Sequence, residues 1–189
     1  FISCYFSTIG ADPHHDGIMF KPAIDVASGQ MLFRDTKTTY GALTTLLQAA
    51  SLILFGKYLI TIKILTAFFY GLISIFIYQI FTEFIPRALV FITVIIWLFM
   101  ATYFVWTLLP WSSVYSLFFQ LLGAYLLILS LKYNSRSYLM FSGIATSLTF
   151  WCRQPVGVFM FLAIIVFFLC LYFLRQISFK ELNKNILIF

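Results

Sequence analysis

The chain has 189 residues, of which 62% are hydrophobic, 21% aromatic and only 10% charged. A soluble domain carries roughly a quarter charged residues, so the composition excludes a water-soluble globular protein. The net charge of +6 does not indicate a nucleic-acid partner, because the basic residues separate apolar runs instead of forming a cluster. The composition therefore predicts an integral membrane protein, an all-α, polytopic transmembrane helical bundle.

Both ends of the sequence are apolar, and we interpret the chain as a piece of a longer protein. Residues 1–10 are expected to be the end of a first transmembrane helix, and residues 175–189 a cytoplasmic loop and the start of a further apolar segment. Between residues 64 and 174 we expect five transmembrane helices, because each uncharged stretch is close to the length that crosses a bilayer. These stretches are Ile64–Thr82, Ala88–Leu109, Val114–Leu131, Ser137–Cys152 and Val156–Leu174.

The short connections between these spans predict the orientation. Lysine and arginine in short loops resist translocation and stay in the cytoplasm. Six such residues fall on one side, and only Arg153 falls in a short connection on the other. We therefore expect a multi-pass protein of the cell membrane, with residues 11–63, the turn at 107–113 and Arg153 outside. The six residues of the cytoplasmic side are Arg87, Lys132, Arg136, Arg175, Lys180 and Lys184.

The first outer loop, residues 11–63, is expected to contain two amphipathic helices that lie at the membrane interface. The run 12–17 contains Pro13 and predicts a loop, and a helix is expected from about Pro22 until Gly29 ends it. The stretch Gly41–Gly56 has an apolar face and an opposite polar stripe, which is typical of an interfacial helix. The polar stripe consists of Thr44, Thr45, Gln48 and Ser51.

Four of the six acidic residues and both histidines lie in the first 35 residues, so the chemistry is expected there. Asp16 has two readings: a helix cap or solvated loop acid, or a general base at the membrane interface. His14 and Asp16 carry metal-ligand atoms, so a divalent cation is an open alternative, and the sequence indicates no other cofactor. The neighbouring charges Lys21 and Asp25, and likewise Arg34 and Asp35, predict two structural ion pairs.

Arg153 lies between two spans on the predicted outer side. It is either an interfacial anchor whose charge reaches the headgroups or a cation for a lipid phosphate. The sequence contains no P-loop, dinucleotide fingerprint, nucleophile elbow or zinc-ligand pattern.

Several short elements, taken together, resemble the first outer loop of the GT-C membrane glycosyltransferases, in particular the protein O-mannosyltransferase and lipid A aminoarabinose transferase relatives. The resemblance covers roughly residues 12–160, and its loop portion is the more specific. The elements are His15-Asp16-Gly17, Ala23, Gly29 to Asp35, Tyr40-Gly41-Ala42-Leu43, Leu54-Phe55-Gly56, Lys63, Ser142-Gly143 and Arg153-Gln154-Pro155-Val156-Gly157.

The resemblance implies transfer of a sugar from a polyprenyl-phosphate carrier to a glycan, lipid or protein acceptor on the outer face, with membrane lipids around the site. It implies Asp16 as the general base and Arg153 near the donor phosphate. Asp12, His15 and Tyr40 are the further candidate substrate-binding residues.

The sequence departs from the family pattern in three places. Ala42 stands where the family has proline, Lys63 stands where it has arginine, and the turn Trp106–Ser113 lacks an acid that many relatives carry. The missing acid argues against a scheme with two carboxylates or with an assisting metal.

Two other classes of protein stay open. In a multi-pass transporter or flippase for a lipid-linked or small polar substrate, the outer acids and Arg153 would line a path instead of a catalytic pocket. Such proteins carry charges or broken helices near the middle of the bilayer, and the predicted spans are nearly free of charge. A non-catalytic assembly subunit is the third class, and it would tolerate replacement of Asp16.

Overall fold

The computed structural model describes residues 2–8, 10, 12–103 and 108–189. Within these ranges the regular structure is helical, apart from one isolated bridge between Leu32 and Thr36. The predicted all-α class is therefore confirmed. The helices in chain order are α1 (Ile2–Ser7), α2 (Pro13–Ala27), α3 (Ala42–Phe55), α4 (Leu59–Phe81), α5 (Arg87–Tyr103), α6 (Ser112–Lys132), α7 (Arg136–Cys152), α8 (Gln154–Phe173) and α9 (Phe179–Ile188).

Three of the described helices, α4, α6 and α8, are long and apolar enough to cross a membrane. Helices α5 and α7 have 17 residues each, which is about 25 Å of helix and somewhat less than the roughly 30 Å hydrocarbon core. Each of the five predicted spans overlaps one helix from α4 to α8. Residues 104–107, which belong to the second predicted span and the outer turn, lie outside the described residues.

The outward faces of these helices are apolar. Ile64 is 50% exposed, Phe91 60% and Phe159 71%, and further large hydrophobic side chains are exposed on α4 to α8. Continuous apolar exposure on this scale needs a partner or a membrane. Together with the three long helices, it indicates a membrane protein.

Helix α6 is central and packs closely on α7 through small residues. A Cβ atom on Gly123 would lie 2.7 Å from Met160 Cε and 3.5 Å from the Cβ of Ala145, so a larger residue would require Met160 to move. Ser142 Oγ donates to the Gly123 carbonyl at 2.8 Å, which joins the two helices through a buried hydrogen bond. Small residues and interhelical hydroxyl bonds are the usual means of helix association in membranes.

Three buried clusters hold the helices together. The first joins α4, α6 and α7, the second joins α7, α8 and α9, and the third joins α2, α3 and α4. The buried members of the first cluster are Phe69, Ile73, Val114, Tyr115 and Cys152. Those of the second are Leu139, Ile164, Phe168 and Leu182. Those of the third are Ala23, Leu52 and Ile62. The third cluster attaches the two loop helices to the start of α4.

Helix α2 begins earlier than predicted. The run 12–17 was expected to be a loop, but the helix begins at Pro13 and contains Pro22. The reason is local, since Asp12 accepts from the backbone N–H groups of His14 and His15 at 3.0 Å and thereby caps the helix. The other boundary is confirmed, because the helix ends at Ala27 and Gly29 follows with a φ of 95°.

The polar stripe of α3 faces inwards, since its four residues are all buried. Thr44 and Gln48 are fully buried, whereas Leu54 on the opposite face is 74% exposed. The Thr45 hydroxyl and the Gln48 amide nitrogen find hydrogen-bond partners inside the protein, and the apolar face turns outwards. A membrane protein can be surrounded by lipid instead of water. An amphipathic helix can then turn its apolar face outwards and its polar face towards the protein, the reverse of the arrangement in a soluble protein.

Candidate functional site

A buried ion pair joins the start of α2 to α4. Lys63 Nζ lies 2.9 Å from Asp16 Oδ2, and both side chains are only 3% exposed. The same ammonium donates to the carbonyl of Gly10 at 3.0 Å, and Asp16 Oδ2 also accepts from the backbone N–H of Asp12 at 3.0 Å. Because a buried charge without its partner is very costly, each of the two residues depends on the other for its charge and position.

The second carboxylate oxygen of Asp16 has a different environment. Oδ1 is buried, and no donor within the described ranges reaches it. A buried acceptor without a donor reduces the free energy of unfolding by roughly 1–3 kcal/mol. In native proteins such an atom is usually explained by a bound water or by a role in binding or catalysis. Oδ1 is thus a buried acceptor that lacks a donor within the described part of the chain.

Asp12 and His15 form a second, more exposed pair one turn away. Asp12 Oδ2 lies 2.7 Å from His15 Nδ1, and the two side chains are 36% and 44% exposed. The backbone N–H of His15, and then its ring, lower the pKa of Asp12 to about 2. A carboxylate with so low a pKa is a weak base near neutral pH, so Asp12 suits helix capping and substrate contact better than proton abstraction.

The turn before α6 brings α2 and Arg153 to the same place. The ring centroid of Trp111 lies 5.6 Å from that of His15, and Ser113, two residues further, accepts a hydrogen bond from the Arg153 guanidinium. Arg153 itself is half-buried in the single-residue break between α7 and α8. We call the end of the helices that carries Asp16, Lys63, Trp111 and Arg153 the Asp16 end.

A buried polar network supports this turn from α3. Gln48 Nε2 donates to the Pro110 carbonyl at 2.9 Å and lies 3.4 Å from the Tyr115 hydroxyl, which is 2.9 Å from Thr66 Oγ1. Gln48 and Tyr115 are fully buried, so these bonds act in a low-dielectric environment. The inward polar stripe of α3 therefore fixes the segment that carries Trp111 and Ser113.

Tyr40 lies at the same end but makes a different kind of contact. Its side chain is half-buried, and its neighbour Gly41 donates its N–H to the carbonyl of Cys152 at 3.2 Å. A Cβ atom on Gly41 would lie 2.1 Å from the carbonyl oxygen of Trp151, so only glycine allows this approach. The contact joins the start of α3 to the end of α7 beside Arg153.

The two residues named as possible metal ligands lie in different surroundings. His14 is exposed, whereas Asp16 is buried and the positive charge of Lys63 lies at its carboxylate. Within the described residues no three His, Cys, Asp or Glu side chains come together as metal ligands.

Four residues of this site were not among the candidates from the sequence: Lys63, Gln48, Trp111 and Ser113. Of these four, only Lys63 could have been identified as a site residue from the sequence. A lysine at the fifth position of an apolar helix needs an anionic partner, and the acids of the preceding loop were the nearest candidates.

Comparison with known proteins adds no assignment: no protein-family model, curated protein or solved structure matches the chain. The inference of function therefore depends on the sequence pattern and on the arrangement of residues at the Asp16 end.

Proposed function

We propose that the chain is the catalytic part of a membrane glycosyltransferase of the GT-C type, which moves a sugar from a polyprenyl-phosphate donor to an acceptor outside the cell. The observation that carries the proposal is the Asp16 carboxylate, held by Lys63 and left with one free oxygen, at the same end as Arg153. The loop pattern around His15-Asp16-Gly17 supports the same activity.

The proposal includes an orientation. Helices α4 to α8 each cross the membrane, and the Asp16 end faces outwards. Its support is the unequal distribution of basic residues along α5 to α8. The short connections at the opposite end carry Lys132, Arg136 and Arg175, whereas the α5–α6 and α7–α8 connections at the Asp16 end carry only Arg153.

In the proposed reaction the acceptor hydroxyl donates a hydrogen bond to Asp16 Oδ1. The hydroxyl oxygen attacks the anomeric carbon of the sugar, and Asp16 takes the proton as the new C–O bond forms. The bond between the anomeric carbon and the phosphate oxygen breaks, and its electron pair leaves with the lipid phosphate. The Arg153 guanidinium stabilises the charge that develops on this leaving group.

The position of the buried charges favours transfer over transport. Lys63 is the fifth residue of α4, so the ion pair lies about 6 Å from the helix start and not near the middle of a span. A transporter needs its charged groups along a path through the bilayer. Transport of an intact lipid-linked sugar without transfer would argue for the flippase alternative.

Arg153 provides a test of donor binding in the full-length protein. Changing Arg153 to Gln is expected to raise the KM for the polyprenyl-phosphate sugar on the order of tenfold or more, because a charge-assisted hydrogen bond to phosphate is lost. Arg153→Lys should retain part of the binding. The measurement is the initial rate of sugar transfer against donor concentration.

Ser113→Ala is the matched control for the anchor reading of Arg153. It removes the hydrogen-bond partner of Arg153 and leaves the charge in place. If Ser113→Ala and Arg153→Gln change donor use equally, or if neither does, Arg153 is an anchor and not a phosphate ligand.

A further inference from the structure

The end of the bundle opposite to the Asp16 end contains a cleft between the α6–α7 turn and α9. Its volume is about 410 Å³. The distance from the Asp16 end is set by α7, which runs from Arg136 at the cleft to Cys152 and is about 25 Å long. The cleft is therefore separate from the proposed catalytic site.

The rim of the cleft is polar and basic. Arg136 and Lys184 both line it, together with the amide side chains of Asn134 and Asn185. In the described part of the chain no carboxylate lies within ion-pair distance of Arg136 or Lys184. This differs from Lys132 nearby, whose ammonium is paired with Glu83 at 2.9 Å.

The acid on the rim, Glu181, is hydrogen-bonded to Ser178, and the charge of Lys184 also acts on it, although not within ion-pair distance. Its carboxylate accepts from the backbone N–H of Ser178 at 2.8 Å, and the Ser178 hydroxyl accepts from the N–H of Glu181 in return. This capping box, through the Ser178 hydrogen bonds, lowers the pKa of Glu181 and keeps it charged. With Arg136 and Lys184 the rim still has an excess of one positive charge.

The first turn of α7 adds to the positive potential. Its N-cap residue, Ser135, lines the cleft and makes no side-chain capping bond to the amides that follow. The partial positive charge of a helix N-terminus therefore lies beside the Arg136 guanidinium.

The inner wall of the same cleft is apolar. It is formed by Leu139 and Phe168, which are buried in the cluster between α7, α8 and α9, and by Ile177. Leu131, at the end of α6, also lines the cleft and is 47% exposed. A basic rim above an apolar wall at the end of membrane helices matches a phospholipid, with the phosphate on the rim and the glycerol and acyl region against the wall.

We propose that this cleft binds the headgroup phosphate of an anionic phospholipid, with Arg136 and Lys184 as the phosphate ligands. The site does not depend on the catalytic proposal, since it shares no residue with the Asp16 end.

Native mass spectrometry of the full chain in detergent micelles, titrated with phosphatidylglycerol, tests the proposal. Arg136→Gln and Lys184→Gln are each expected to weaken lipid binding on the order of tenfold. Lys180→Gln is the matched control, because it removes the same charge from α9 at a position that does not line the cleft. It should leave binding within about twofold of wild type, as expected for an exposed charge away from the ligand.

Glu181→Gln is expected to change the affinity for the lipid in the opposite direction. Glutamine preserves the capping box and removes the only negative charge from the rim, so lipid binding should tighten. Equal losses in Arg136→Gln and Lys180→Gln would show diffuse surface attraction and overturn the proposal. Displacement of the lipid by inorganic phosphate at the same concentration would overturn the assignment to a phospholipid.

Discussion

Changing Asp16 to Asn is expected to lower the rate of sugar transfer about 100- to 10,000-fold, the usual contribution of a general base. The amide cannot take the proton of the acceptor hydroxyl, although it has the size and shape of the carboxylate. The rate at saturating donor and acceptor should fall, while the KM for the donor should change much less. The measurement is transfer from a polyprenyl-phosphate sugar by the purified full-length protein.

Asp25→Asn is the matched control for this prediction. Asp25 lies on the same helix, is also mostly buried and also pairs with a lysine, Lys21, but it is nine positions further along α2. It should retain transfer activity. Unchanged turnover in Asp16→Asn would exclude Asp16 as the base and would favour the assembly-subunit reading.

The buried ion pair between Asp16 and Lys63 leads to a prediction on the free energy of unfolding, which does not depend on the proposed activity. Replacing Lys63 with Met is expected to reduce the free energy of unfolding by about 3–5 kcal/mol, because the Asp16 carboxylate stays buried without its counter-ion. The double variant Asp16→Asn, Lys63→Met should recover most of this loss, since both charges are then absent. The measurement is thermal unfolding in detergent micelles of Lys63→Met and of the double variant, each compared with the wild type.

Lys132→Met is the control for the stability prediction. Lys132 and Glu83 are also 2.9 Å apart, but their side chains are 47% and 33% exposed, so solvent screens the pair. This variant should unfold close to the wild-type temperature. If Lys63→Met were as stable as Lys132→Met, the Asp16 and Lys63 pair would not be the buried ion pair described above.

The local features of the fold could be predicted from the sequence. Apolar run length predicted the helical class, and close spacing predicted the Lys21–Asp25 and Arg34–Asp35 pairs, which are confirmed at 2.5 and 2.8 Å. Each of these depends on residues that are neighbours along the chain. The start of α2 was missed, because Pro13 was read as a loop signal when it stands at the first helical position, where proline is favoured.

The long-range features of the candidate site could not be predicted. Lys63 meets Asp16 only because α2 packs beside the first turns of α4, and the bond between Gln48 and Pro110 joins residues 62 positions apart. The same limit applies to α3. Its periodicity correctly showed one polar and one apolar face, but periodicity does not tell which face meets the protein and which meets the surroundings.

The proposed orientation places the Asp16 end outside the cell and the Arg136 end inside. A cysteine introduced at Ser28 or at Lys180 can be tested with a membrane-impermeant maleimide, in a chain that has Cys4 and Cys170 changed to serine and keeps the buried Cys152. The account predicts labelling of Ser28→Cys in intact cells and of Lys180→Cys only after permeabilisation. Labelling of both from one side, or the reverse pattern, would contradict it.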